Sequence, residues 1–157
     1  MLVNTNWDTV IDRALEAHLA PNFEEEIFPL HIHGSVIDPS TLYLPTEVTK
    51  EPYRSHEEEK RIGGIHTSIM DGLESAARII IYCFFVPPLD ADLMQTLAAG
   101  FDSRILRQIV IVVPDHELVA RRLKLLLDRE PRIPMIGHDP RDLSVAVDYT
   151  NAFTSTA

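Results

Sequence analysis

The chain has 157 residues, 45% hydrophobic and 24% charged, with 14 Lys+Arg against 24 Asp+Glu for a formal charge of −10. This is enough chain for one domain with a real core, and an ordinary composition for a globular protein. The acidic balance opposes a nucleic-acid surface, which needs a basic footprint, and the single cysteine, Cys83, excludes an internal disulfide framework and a Cys-rich zinc module. There is no N-terminal signal pattern, and no apolar run approaches the ~20 residues needed to span a bilayer. The expectation is a cytoplasmic protein that meets neither nucleic acid nor membrane.

Residues 1–6 read as a short strand, and a helix follows directly. Val10, Ile11, Ala14, Leu15, His18 and Leu19 recur at helical spacing as one stripe, and Pro21-Asn22 ends it. Asn6 or Asp8 stands where a short polar side chain caps the helix; the same pair also stands where a strand gives way to a ligand-facing turn. The acidic runs Glu24–Glu26 and Glu57–Glu59 read as solvated faces. Ile27 to Ile32 is the next strand candidate, with Pro29 marking an edge or an irregular start. It ends in a turn at His33-Gly34-Ser35. His31 and His33 point to the same side of a strand, the pattern of a metal pair, but no third ligand of suitable spacing is nearby, so no metal is expected. Asp38-Pro39-Ser40 is a turn signal, and Thr41 to Leu44 reads as a short strand ended by Pro45.

A longer helix is expected from His56 to Arg78, where Ile62, Ile65, Ile69, Leu73 and Ala76 step by helical intervals. Gly63-Gly64 inside it costs about 1 kcal/mol per glycine relative to Ala, so the pair either breaks the helix or admits a close neighbour. Ile79 to Val86 is an unbroken apolar run, which fits a central parallel strand covered on both faces; Cys83 within it reads as a buried small hydrophobe. Asp90 is expected to cap a helix carrying Leu93, Met94, Leu97 and Ala98, with Gly100 at its end. Ile109 to Val113 is a second apolar strand. Pro114-Asp115 opens another helix, with Leu118, Val119, Leu123 and Leu126 inward. Ile133 to Ile136 reads as a last short strand, and Asp139-Pro140 as the start of a final helix through Val145. The alternation of strands and helices predicts an α/β fold with a parallel sheet and helices on both faces. There is no Gly-rich phosphate loop of the G-x-G-x-x-G kind.

Four stretches in order resemble one family. Thr5-Asn6-Trp7-Asp8 before an amphipathic helix is similar to the Thr-x-Asn-x-Asp motif of sirtuin-like proteins. His33-Gly34-Ser35 after a strand is similar to the His-Gly motif that carries the family's catalytic histidine. Ile79–Val86 with Pro87-Pro88-Leu89-Asp90, and Ile109–Val113 with Pro114-Asp115, resemble the family's later strands and the helix openings after them. The resemblance implies a Rossmann-like, sirtuin-type fold that binds NAD and cleaves its nicotinamide–ribose bond. Asn6 and His33 are then the catalytic pair: Asn6 orients the ribose or a water, and His33 is the general base, a role suited to a group that titrates near neutral pH. Thr5, Asp8, Gly34, Ser35 and Asp90 are the expected cofactor-binding residues.

Deacylating sirtuins carry a four-cysteine zinc module after the His-Gly motif, and this chain has one cysteine in all. The resemblance is therefore to the zinc-free domains of prokaryotic antiphage defence, which hydrolyse NAD to nicotinamide and ADP-ribose. NAD is expected as substrate, with no metal. The family's opening strand and Gly-Ala-Gly-x-Ser loop precede the Asn motif, and Met1 leaves no room for them. The expected arrangement is a partial, N-terminally truncated domain over 1–150 with a frayed tail over 151–157, its missing portion supplied by a homo-oligomer or a partner domain. Cys83, Phe84 and Phe85 stand where the family usually has Gly-Tyr-Ser, and Asn4 where it has the first Thr. A catalytically inactive remnant serving as a binding module is the alternative, and an unrelated α/β domain in which these residues are only caps and turns is a third.

Overall fold

A computed structural model describes residues 1–22, 28–42, 55–86, 90–127 and 133–153. It is an α/β structure with mostly parallel sheets, and four α-helices lie among the described residues. The chain divides into two compact units, Met1–Ile69 and Met70–Ala157.

In the first unit, strand β1 (Val3–Asn4) and strand β2 (Leu30–His31) pair in parallel, with Val3 opposite Leu30 and Asn4 opposite His31. The ladder runs one bond further at each end, from the Leu30 N–H to the Leu2 carbonyl and from the Ile32 N–H to the Asn4 carbonyl. A parallel pair needs a crossover between its strands, and helix α1 (Val10–His18) lies in it. No α1 residue is fully buried, and Val10 is 67% exposed, so the predicted inward stripe is only half-covered. Asp8 does serve the helix start: its Oδ1 accepts the Val10 N–H at 3.0 Å. Pro39–Thr41 forms a turn of 3-10 helix where a strand from Thr41 was expected. Its cause is local, since the Thr41 hydroxyl donates to the Asp38 carbonyl at 2.7 Å and holds the chain in the turn. The rest of that expected strand, and Ile27 at the start of the preceding one, lie outside the described residues.

Helix α2 (His56–Glu74) opens on a capping box. The Glu58 N–H donates to Ser55 Oγ, and the Ser55 N–H donates back to the Glu58 carboxylate at 2.8 Å. Gly63-Gly64 neither breaks the helix nor receives a neighbour: a Cβ at either position would meet nothing within 4 Å. Thr67 and Ser68 donate their hydroxyls to the two glycine carbonyls four residues back. Ile32, Ile62 and Ile69, each at most 1% exposed, are buried in this unit.

The second unit carries a four-stranded sheet in the order β3 (Arg78–Tyr82), β4 (Gln108–Val112), β5 (Met135–Asp139), β6 (Asp142–Asp148). The first three strands are parallel, with Ile79 opposite Ile109 and Ile109 opposite Met135. Helix α3 (Ala91–Phe101) connects β3 to β4, and helix α4 (His116–Lys124) connects β4 to β5. Ile109, Ile111, Val113, Val119, Leu123 and Met135 are fully buried.

Four expectations are corrected by the second unit. Among the described residues β3 is an edge strand of this sheet with one open face: Ile79 and Ile81 are buried, but Ile80 and Tyr82 are 61% and 64% exposed. Cys83 follows it at the surface rather than in the core. On α4, Val119, Ala120 and Leu123 are buried, while Leu118 is 43% exposed and turned outward. The helix expected from Asp139-Pro140 is instead the turn of a hairpin, and β6 pairs antiparallel with β5. The local signal is a period of two rather than 3.6 in Leu143, Val145 and Val147, broken only in polarity by Ala146, and β6 stays exposed along its length. Asp139 fixes the reversal by accepting the Arg141 N–H and pairing with its guanidinium. Beyond β6, Tyr149 stacks on Phe153, which lies under the Arg121 guanidinium. Residues 154–157 of the expected frayed tail are outside the described residues. Among the described residues no helix is long and apolar enough to cross a membrane.

Candidate functional site

Because β1 and β2 are parallel, both chains leave the pair at the same end. The loops that follow, Thr5 to Asp8 and Ile32 to Val36, therefore lie side by side, and the Val36 N–H donates to the Trp7 carbonyl at 2.9 Å to join them. Between them opens a cleft of about 590 Å³ lined by Thr5, Asn6, Trp7, Asp8, His33 and Val36. The carboxyl ends of parallel strands are where open α/β sheets bind ligands, and the volume falls within the range of about 300–1,000 Å³ usual for small-molecule sites.

The walls differ in exposure. Asn6 and Asp8 are exposed, Trp7 is 40% exposed, and His33 is only 2% exposed. The Asn6 backbone is held on both sides. Its N–H donates to Asn4 Oδ1 at 3.0 Å, and its carbonyl accepts from His31 Nδ1 at 2.9 Å. His31 does not line the cleft; its Nε2 meets both oxygens of Asp12 at 3.1 Å. The strand stops at His31, so the alternation expected to bring His31 and His33 to one side does not reach residue 33.

Gly34 sets the turn between strand and cleft. It lies at φ +77°, its N–H donates to the His31 carbonyl, and a Cβ there would fall 2.1 Å from the Thr41 carbonyl oxygen. Only glycine takes that place without strain. Ser35 supports the same turn, with its N–H near Thr41 Oγ1 and its Oγ accepting from the Ile37 N–H, each at 3.4 Å. Neither residue is among the lining side chains. Asp90 belongs to the second unit, where its carboxylate accepts the Leu93 N–H and caps α3. Trp7 and Val36 are wall residues to which the sequence reading gave no role. An exposed-side tryptophan inside a polar motif is a usable signal for Trp7; nothing in the sequence marks Val36.

Several groups of the second unit have clearly displaced acidity. Asp139 is held down to about 2, first by its hydrogen bonds with Arg141. Asp148 is lowered by bonds from Thr150. Burial and the Glu117 charge push the Tyr149 hydroxyl up. Among the described residues no group of three or more His, Cys, Asp or Glu could hold a metal ion.

Chemically, the cleft offers an amide, an imidazole, a carboxylate and an indole face. An indole face and a carboxylate together suit a flat cationic ring. The imidazole and amide suit a hydroxyl or a water to be oriented and deprotonated. Comparisons with protein-family models, curated proteins and solved structures give no match to the chain.

Proposed function

We propose that this cleft binds NAD and hydrolyses its nicotinamide–ribose bond, as the resemblance to zinc-free sirtuin-like domains implies, within a Rossmann-like fold. The observation that carries the reading is the parallel β1–β2 pair, which sets Asn6 and His33 on the wall of one cleft with Asp8 and Trp7 beside them. The nicotinamide end of NAD is a flat cation, which the Trp7 face and the Asp8 charge suit. As the glycosidic bond breaks, its electron pair passes to the ring nitrogen and neutralises it, and positive charge develops on the ribose. A water held by Asn6 adds to that carbon and gives its proton to His33. The products are nicotinamide, ADP-ribose and a proton. Release of nicotinamide to deplete NAD during phage infection is the role that the resemblance suggests.

A specific observation favours a second reading. His33 is 2% exposed, and a ring so deeply set also suits a binding module that holds a nucleotide without cleaving it. One experiment separates the two. The protein is incubated with NAD, and free nicotinamide is measured by chromatography while the fluorescence of Trp7, the chain's one tryptophan, follows binding. The hydrolase reading expects release that falls by about 10²-fold or more in His33→Ala. Release unchanged in that variant refutes the base assignment, and quenching of Trp7 without any release favours the binding module.

A further inference from the structure

We infer that Asn4, His31 and Asp12 are positioning residues that set Asn6 for the reaction. The inference rests on the hydrolase reading of the cleft and adds three residues that do not line it. Asn6 is exposed, so its aim depends on how its backbone is held. That backbone is clamped on both sides by the buried residue of each strand, Asn4 of β1 at 7% exposure and His31 of β2 at 8%.

The His31 clamp has a direction. A carbonyl only accepts, so the Asn6 carbonyl requires a proton on His31 Nδ1. The Asp12 carboxylate only accepts as well, so it requires a proton on Nε2. The ring bridges the two groups, and the two Asp12 contacts at 3.1 Å hold it in the orientation that reaches Asn6. Asp12 thereby ties α1 to β2 and, through the ring, to the Asn6 loop. The Asn4 clamp carries its own cost. Its Nδ2 is buried with no acceptor among the described residues, a penalty that an apolar strand residue would avoid. What Asn4 does supply is the Oδ1 that holds the Asn6 N–H.

The test compares wild type, D12A, D12N and H31A by nicotinamide release and by hydrogen exchange at the Asn6 and Val36 amides. A misplacement of about 1 Å costs on the order of 10² in rate, so D12A and H31A are expected to lose about that factor in kcat with KM changed less than about threefold. The side-chain amide introduced by D12N can donate to Nε2 of a ring that keeps its Nδ1 proton, so D12N recovers most of the kcat lost in D12A. Exchange at the two loop amides speeds up in D12A and H31A, while exchange at Ile109 and Val113 in the second unit does not. Wild-type kcat in D12A, or a D12N variant as impaired as D12A, overturns the inference. If the wild type releases no nicotinamide, the hydrolase reading falls, and the exchange data then decide: faster exchange confined to the loop supports the clamp, and unchanged exchange overturns it. If H31A does not fold, the comparison of D12A with D12N decides alone.

Discussion

Replacing Gly34 by Ala is the sharpest perturbation of the turn behind the cleft. The residue sits at φ +77°, a conformation that costs an L residue about 1–2 kcal/mol. The added Cβ would lie 2.1 Å from the Thr41 carbonyl oxygen, 2.3 Å from its carbon and 2.6 Å from the Leu42 nitrogen. These are backbone atoms of a turn closed by the Thr41 and Leu42 N–H groups, so no side chain can swing aside. Moving the turn adds about 1–3 kcal/mol, the usual range for overpacking. The expected loss in the first unit is therefore about 2–5 kcal/mol. With a urea slope of about 2 kcal/mol per molar, the middle of the usual range, the midpoint falls by roughly 1–2.5 M. Trp7 is the chain's one tryptophan and lies in this unit, so its fluorescence reads the transition. Gly63 and Gly64 supply the control. A Cβ at either meets nothing within 4 Å, and Ala there should stabilise the helix by about 0.5–1 kcal/mol. A Gly34→Ala midpoint equal to wild type, measured beside stabilised Gly63→Ala and Gly64→Ala, would refute the reasoning about the turn.

Three further outcomes are expected. Asp90→Ala removes the cap on the Leu93 N–H and should lower stability by about 1 kcal/mol in thermal or urea unfolding, while Asp90→Ser keeps most of it. Asp139 has its carboxyl held at about 2 against the ordinary 3.8 by Arg141, so its contribution is fully present above 3.8 and is lost as pH falls through about 2; the Asp148 shift has the same sign. Protection of the β5–β6 hairpin amides, taken relative to their intrinsic exchange rate at each pH, should therefore fall on acidification through that window, and an Asp139→Asn variant should show a flatter response. A chelator is expected to leave the melting temperature unmoved, because no described cluster has the ligands for a metal whose loss would unfold the chain; a drop on chelation would reopen the role of His31 and His33.

The parts legible in the sequence were those decided by neighbouring residues. The apolar run at Ile109–Val113 gave a strand, and Asp90 before Leu93 gave a capped helix, because strand burial and capping leave local marks. The Ile79–Val86 run misled about exposure for a physical reason. Consecutive isoleucines are compatible with either face being covered, and only the packing of distant elements decides that Ile79 and Ile81 are buried and Ile80 is not. Asp139-Pro140 misled differently: Asp-Pro marks a reversal as readily as a helix start, and the deciding signal was the alternation after it. The site shows the same division. Thr5, Asn6, Asp8 and His33 line one cleft because loops after parallel strands are neighbours, which the motif order already suggested. A helix-opening Asp looks the same in sequence whether it caps or binds, and at Asp90 the structure records the capping bond. The His31–Asp12 pair was illegible, since nothing local links two residues on separate elements.

The lengths of β1 and β2 explain why so many polar side chains gather behind the cleft. Each strand has two residues, well short of the five or six that are usual, and so short a ladder constrains the following loops weakly. The geometry of the walls then falls to individual bonds from side chains. His31 and Asn4 hold the Asn6 loop. On the other wall, His66 of α2 meets the Ile32 carbonyl at 3.0 Å, next to His33. Arg61, one turn earlier on α2, pairs with Asp38 and donates to Ser40 in the turn that follows. Apolar burial is non-directional, whereas each of these bonds fixes one atom against another. Stability and cleft geometry should therefore separate under mutation. Truncating Ile69, which is fully buried, should cost about 2–5 kcal/mol and leave the affinity of the folded fraction for its ligand nearly unchanged. Removing Asp12, three-quarters buried at the far side of His31, should cost less stability and disturb the cleft more. The opposite ordering would mean that the walls are set by the packed isoleucines and that the polar clamps are incidental.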